Sequence, residues 1–142
     1  MADQPKEFAS VILKSLDGRF ILQLRDDKPE IVDPGKLSLF ASRIQDGEEP
    51  LDAAVRTLRE ETTLVRPKEN LTFYTHFIKD PARHTDAGGS HVFVATVPVD
   101  PTKITVRQGQ GYRLKSPNEI AEAETAPITY DILIGYVAGN RA

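Results

Sequence analysis

The sequence predicts an α+β fold around a mixed β-sheet, and three observations carry that expectation. Strand-like runs outnumber helical ones, the first two runs are joined by the hairpin turn Asp17-Gly18-Arg19, and the helices fall in the middle and at the end of the chain. Strict alternation of strands and helices would have pointed to a doubly wound parallel sheet instead. The chain has 142 residues, 39% of them hydrophobic, which is enough to bury a core without metals or disulfides. No repeat or low-complexity linker divides it, so residues 1–142 are expected to form one domain.

Each element has a local reason. Phe8 to Leu16 and Phe20 to Leu24 are apolar-rich runs, and the Asp-Gly between them tolerates the positive φ that a tight hairpin demands. Arg25 to Lys36, with two prolines, a glycine and many charges, reads as a surface loop. Leu37 to Ile44 alternates weakly and is expected to be one strand, ending at the turn Gln45-Asp46-Gly47. A helix should follow at Pro50, since the first helical position has no use for the missing N–H, and Asp52 adds negative charge to the first turn. Its apolar stripe would be Leu51, Ala54, Val55, Leu58 and Thr62.

Beyond Pro67, Leu71 to Ile78 and Ser90 to Val97 read as strands, with a polar connection that ends at Gly88-Gly89. Phe73, Tyr74, Phe77 and Phe93 within them are expected mostly in the core, with one free to stack on a base. Ser116-Pro117-Asn118-Glu119 carries a capping box and should open a short helix, and a last helix is expected from about Pro127 to Val137.

Composition excludes several classes of function. Eighteen basic residues against 21 acidic ones give a net charge of −3, so no broad positive surface is available for a nucleic-acid polymer. The absence of cysteine rules out disulfides, thiol nucleophiles and thiolate zinc sites. MADQPKEF has no basic segment leading into an apolar run, and no stretch of ~20 apolar residues occurs, so the expectation is a cytoplasmic protein without a membrane segment.

The chemistry concentrates between Ser42 and Leu64. On a helix Thr57, Glu60 and Glu61 would share a sector, Arg56 would reach Glu60, and Glu48 stands in the preceding turn. Crowded carboxylates favour a cation between them, and oxygen ligands without cysteine favour Mg²⁺ or Mn²⁺. Spacing alone equally admits a solvated helix face on which Arg56 and Arg59 make local ion pairs of little energetic weight. His84 and His91, seven residues apart, do not have a compact metal-ligand spacing.

The segment SRIQDGEEPLDAAVRTLREETTL also resembles the signature of the Nudix hydrolase superfamily: Gly, five residues, Glu, seven residues, then Arg-Glu-U-x-Glu-Glu-x-Gly-U, where U is aliphatic. The frame runs without a gap from Ser42 through Glu48 to Arg56 and Leu64, and the flanks LQLRDDKP, PGK and RQGQGYRLKSPNEI extend the likeness from about Phe8 to Tyr136. The resemblance implies an α/β/α sandwich around a mixed sheet and hydrolysis of the pyrophosphate bond in a nucleoside diphosphate linked to another moiety. It implies Glu60 and Glu61 as ligands of Mg²⁺ or Mn²⁺, Glu48 as a further or water-mediated ligand, and Arg56 as the residue orienting the carboxylates. Arg43, where the family often has a basic residue, is a candidate for substrate phosphate or for a surface ion pair, and Arg25 either borders the substrate loop or sits in a solvated turn. The implied partner is a small nucleotide rather than a polymer or membrane, and a homodimer is consistent with the family.

Four positions depart from the pattern. Ser42 and Thr63 replace glycines, Thr57 replaces the first glutamate after the arginine, and Gln108 stands where glutamate would be expected. Threonine cannot act as a carboxylate base, so metal affinity and turnover should fall unless another residue serves; Glu122, Glu124, Asp86 and His84 are the candidates. Three readings follow from the sequence: a Nudix-type hydrolase weakened by Thr57, an inactive nucleotide-binding or regulatory domain of the same fold, and, should no nucleotide bind, a structural or protein-interaction role.

Overall fold

The computed structural model describes residues 6–84 and 88–139. The first hairpin is β1 (Lys6–Lys14) and β2 (Phe20–Leu24), followed by β3 (Leu37–Ser38), β4 (Phe40–Arg43) and helix α1 (Pro50–Glu61). β5 (Leu71–Ile78), β6 (Gly88–Ala95), β7 (Tyr112–Lys115) and helix α2 (Pro127–Gly139) complete the order. The sheet is mixed, as expected: β1 runs parallel to β6 over Lys6 to Ile12 and antiparallel to β4 and β2, while β5 lies antiparallel on the far side of β6.

β1 is central because both of its faces are apolar, which is the pattern of a strand covered on two sides. Ala9, Val11 and Leu13 face one core with Phe40, Ala53, Ala54 and Leu58, beneath α1. Ile12 faces the other with Phe20, Leu22, Leu39, Ile132 and Leu133, beneath α2. Two helices therefore cover opposite faces of one sheet, giving an α/β/α sandwich. Among the described residues no helix is long and apolar enough to cross a membrane.

Several local expectations change. The single strand foreseen over Leu37 to Ile44 divides at Leu39, because β3 pairs with β2 whereas β4 pairs with β1. At the break the Leu39 N–H, which leaves the ladder, donates to Thr129 Oγ1 at 3.1 Å. β7 had no sequence signal, since YRLK is short and half charged; it exists because the free edge of β2 accepts it along Phe20 to Gln23. The capping box closes one 3₁₀ turn at Pro117–Glu119, with the Ser116 N–H donating to Glu119 Oε1 at 2.8 Å. Phe73 is 54% exposed rather than in the core, because β5 is an edge strand, and its ring stands edge-on to buried Phe93.

Gly88 and Gly89 do not end a loop but begin β6. A Cβ on Gly88 would stand 2.0 Å from the Lys6 carbonyl oxygen, and one on Gly89 would stand 2.6 Å from that of Phe77. Only glycine lets β1 and β5 close on both edges of β6 at this level.

Candidate functional site

The turn before α1 and the first turns of that helix are tied together by one guanidinium. Arg56 donates to both oxygens of Glu48 at 2.9 Å, to Glu60 Oε1 at 2.6 Å and to the Arg43 carbonyl at 2.9 Å. The Gln45 N–H adds a bond to Glu48 Oε1 at 3.0 Å. Arg56 first, then this N–H, hold the Glu48 carboxyl down at about 2, so it is ionised throughout the physiological range. The same contacts keep the Arg56 proton more firmly bound than usual.

Glu60 and Glu61 are sequence neighbours in different surroundings. Consecutive helical residues point ~100° apart, and this divides them between solvent and sheet. Glu60 is exposed beside Arg56, whereas Glu61 is only 4% exposed and its carboxylate accepts from the Ala41 N–H of β4. Burial, with a smaller push from the Glu60 charge, raises the Glu61 carboxyl to about 7, against the pull of the Ala41 N–H, Arg25 and Arg56. The buried face of α1, comprising Ala53, Ala54, Thr57, Leu58 and Glu61, is therefore broader than the expected stripe. Ala53 presents only a methyl group between helix and sheet, so Thr57 and Glu61 come down onto the sheet together.

Thr57 is fully buried, and its Oγ1 donates to the Ala53 carbonyl at 2.7 Å while lying 2.5 Å from Ser42 Oγ. A hydroxyl has one proton, so the Ser42 hydroxyl is the donor in that contact. Ser42 lies in β4 opposite Ala9, and neither it nor Thr63 has positive φ, so these replacements of signature glycines carry no backbone strain. Thr63 Oγ1 accepts from the Thr105 N–H at 2.9 Å.

Beneath α2, on the opposite face of the sheet, lies a cleft of about 230 Å³ walled by Phe8, Leu39, Ile128 and Ile132. Ser38 also lines it, and its buried Oγ has no hydrogen-bond partner among the described residues. Arg25, Lys79 and Arg83 bring positive charge to the same cleft, and Ala41 belongs both to its wall and to the Glu61 hydrogen bond. The cleft and the carboxylates are thus joined through β4.

Arg25 is half-buried, and its Nε–H donates to the Val32 carbonyl at 2.7 Å. It also lines an adjoining groove with Arg107 and Gln108, where the Arg107 N–H donates to the Glu61 carbonyl at 2.7 Å. Arg43 is exposed and contributes its carbonyl to the Arg56 network.

The loop after β5 is strapped to α2. The Asp80 N–H donates to His84 Nδ1 at 2.7 Å, which leaves the ring proton on Nε2 to donate to Asp131 at 2.9 Å. Arg83 grips Asp131 with two bonds and reaches Glu122 at 3.2 Å, holding the Asp131 carboxyl below its usual range. Of the substitute bases named from sequence, His84 and Glu122 are thus engaged in this strap, Glu124 pairs with Lys115 at 2.9 Å, and Asp86 lies outside the described residues. His84 and His91 do not come together: His91 stacks on His76 instead. Sequence reasoning passed over Ser38, Lys79, Arg83 and Arg107: the first three sit in no motif, Arg107 opens the RQGQG flank without being singled out, and folding of the chain brings them to the site.

A family model described as NUDIX domain matches residues 5–133. A search of curated proteins returns no match. Among solved structures, a MutT protein from Methanosarcina mazei Go1 superposes with a TM-score of 0.77 at 18% identity, covering 100% of both chains. A MutT NUDIX hydrolase from Burkholderia pseudomallei gives 0.74 at 17% identity over 93% of this chain and 98% of that one. The Escherichia coli dihydroneopterin triphosphate pyrophosphohydrolase gives 0.69 at 18% identity over 94% and 95%. At these identities the structural likeness concerns the fold.

Proposed function

The chain belongs to the NUDIX domain family, and from that premise we propose that it hydrolyses the pyrophosphate bond of a nucleoside diphosphate linked to another moiety, with Mg²⁺ or Mn²⁺. The observation that carries this reading is the buried Glu61 carboxyl, next to Glu60 in the chain, raised to about 7 chiefly by burial and hydrogen-bonded to Ala41, a residue that also lines the cleft bordered by Arg25. Glu48, Glu60 and Glu61 offer only oxygen donors, the chemistry of a hard divalent cation, although they are not gathered within 4.8 Å of one another as Glu7, His76 and His91 are, so the carboxylates would close on the ion as it binds. When bound, such a cation neutralises phosphate charge and makes water a better nucleophile.

The protein's own groups supply the rest. Arg56 holds Glu48 and Glu60 in one orientation, and Arg25, which lines the cleft, supplies the charge that meets a substrate phosphate on this reading. At about 230 Å³ the cleft is smaller than the ~300–1,000 Å³ of typical small-molecule sites, so it suits one ring system, with the phosphates outside at the carboxylates. Ser38 Oγ offers that ring a buried hydrogen bond. Thr57 cannot take the proton of an attacking water, so turnover is expected to be slow. A panel of nucleoside triphosphates, nucleotide sugars and dinucleoside polyphosphates tests the reading with either metal. Turnover no greater than that of a Glu60→Gln/Glu61→Gln control would sink it.

A second reading, an inactive nucleotide-binding domain, is favoured by one observation: Ser42 and Thr57 satisfy each other where the signature has glycine and glutamate. On that reading nucleotide binding measured by calorimetry survives chelation of metal and no turnover occurs. Metal-dependent hydrolysis by the unmodified protein that is lost in Glu61→Gln would reject it.

A further inference from the structure

The register of three strands gathers a second set of ligand atoms away from the carboxylates of α1. Ala9 of β1 lies opposite His91 of β6, and His91 lies opposite His76 of β5. Side chains alternate along a strand, so Glu7, two residues before Ala9, shares the face of the two histidines. Glu7 Oε1 stands 2.6 Å from His76 Nε2 and 3.4 Å from His91 Nε2, and the ligand atoms of the three residues all lie within 4.8 Å of one another. The imidazoles are stacked, 4.1 Å between centroids and 11° from parallel.

We propose that Glu7, His76 and His91 form a separate site for a borderline first-row transition ion, Zn²⁺ in the first instance. Two imidazole nitrogens and one carboxylate oxygen suit zinc and its neighbours rather than Mg²⁺ or Ca²⁺, which prefer oxygen alone. Ligands ~2.0–2.1 Å from a tetrahedral ion stand roughly 3.3 Å apart. The Glu7–His91 separation already matches, and the Glu7–His76 contact needs to open by a fraction of an ångström. Because each Nε2 lone pair lies in its ring plane, rings only 11° from parallel must tilt out of their stack for both nitrogens to face one ion, so binding reorients the imidazoles.

Two features of the surroundings support the site. Gly89, opposite Glu7, has no side chain, and a Cβ there would come within 3.0 Å of His76 Nε2. All three side chains are partly open to solvent, at 36%, 40% and 23% for Glu7, His76 and His91, so an ion can enter and a fourth position is left for water. β6 and β5 lie two and three strands from β4, or roughly 10 and 14 Å at the ~4.8 Å strand spacing, so the site shares no ligand with Glu60 and Glu61.

Titration of the full chain, stripped by chelation, with Zn²⁺ and with Co²⁺ tests the proposal. One ion should bind per chain, Co²⁺ should show the intense visible bands of a four-coordinate nitrogen and oxygen site, and excess Mg²⁺ should not displace it. His76→Ala, His91→Ala and Glu7→Gln should each weaken binding by more than the ~10–100-fold that loss of an outer partner costs. The Glu60→Gln/Glu61→Gln variant should bind as the unmodified protein does. Circular dichroism confirms folding, and the near-isosteric Glu7→Gln, on the partly exposed rim, guards against misfolding of the histidine variants. Absence of stoichiometric binding, binding that survives both histidine changes, or loss in the Glu60→Gln/Glu61→Gln variant would each overturn it, leaving the cluster a stacked, hydrogen-bonded pair of imidazoles.

Discussion

The hydroxyls of Ser42 and Thr57 lie 2.5 Å apart, so two departures from the Nudix signature are one interaction rather than two independent losses. The Ser42 hydroxyl donates to Thr57, which in turn donates to Ala53, and both groups are satisfied inside the helix–sheet interface. The pair closes the space that a glutamate at 57 would occupy.

From this contact follows a coupling between the positions. Thr57→Glu alone forces a carboxylate against Ser42 and is expected to destabilise by about 1–3 kcal/mol, whereas Ser42→Gly/Thr57→Glu restores room. The double variant should raise Mg²⁺-dependent kcat by the ~10²–10⁴-fold of a positioned general base. Denaturant unfolding and kcat across the four-member cycle measure both effects, and additive behaviour would show that the contact carries no coupling.

Glu61 sets a pH dependence on stability in chelator. Its folded pKa of about 7 stands above the ordinary 4.5, so the folded protein binds more protons between those values. Stability is then full below pH ~4.5 and falls as pH rises toward 7, by an amount on the order of 2–3 kcal/mol. Glu61→Gln should flatten that slope, and thermal melts from pH 4.5 to 8 in EDTA read it; an unchanged slope in the variant assigns it to other groups.

Arg56 is predicted to resist conservative replacement. Lysine cannot reproduce a planar fork that binds two oxygens of Glu48 together with Glu60 and the Arg43 carbonyl. Arg56→Lys should raise the Mg²⁺ concentration needed for half-maximal activity more than it alters nucleotide KM. An effect confined to KM would instead put the guanidinium on the substrate.

Ser38→Ala separates a ligand group from a structural one. Because Ser38 Oγ has no hydrogen-bond partner among the described residues, its removal should leave the melting temperature unchanged or slightly higher. Loss of one hydrogen bond to substrate, ~0.5–1.5 kcal/mol, should weaken nucleotide binding roughly 2- to 10-fold. Calorimetry with the preferred nucleotide decides: equal affinity removes Ser38 from the site.

The parts of the site that could be read in advance were those whose logic is confined to a few residues. Asp17-Gly18 marks the β1–β2 hairpin, Pro50 marks the start of α1, and the spacing of Glu48, Arg56, Glu60 and Glu61 is a property of the chain itself. The split at Leu39 and the strand at Tyr112–Lys115 could not be read so, because each depends on which edge of β1 or β2 is free. The Glu7, His76 and His91 cluster was equally hidden, with its members up to 84 positions apart in the chain.

By itself, then, the sequence determined the family frame, the mixed sheet with its two helices, and the presence of carboxylates on α1, since hydrophobic periodicity and turn chemistry act over a few residues. The tertiary structure alone decided that Glu61 is buried while Glu60 is not, that Ser42 meets Thr57, and that Ser38 faces a cleft joined to the carboxylates through Ala41. Burial and charge depend on what the rest of the chain lays against a residue, and that is a property of packing rather than of spacing.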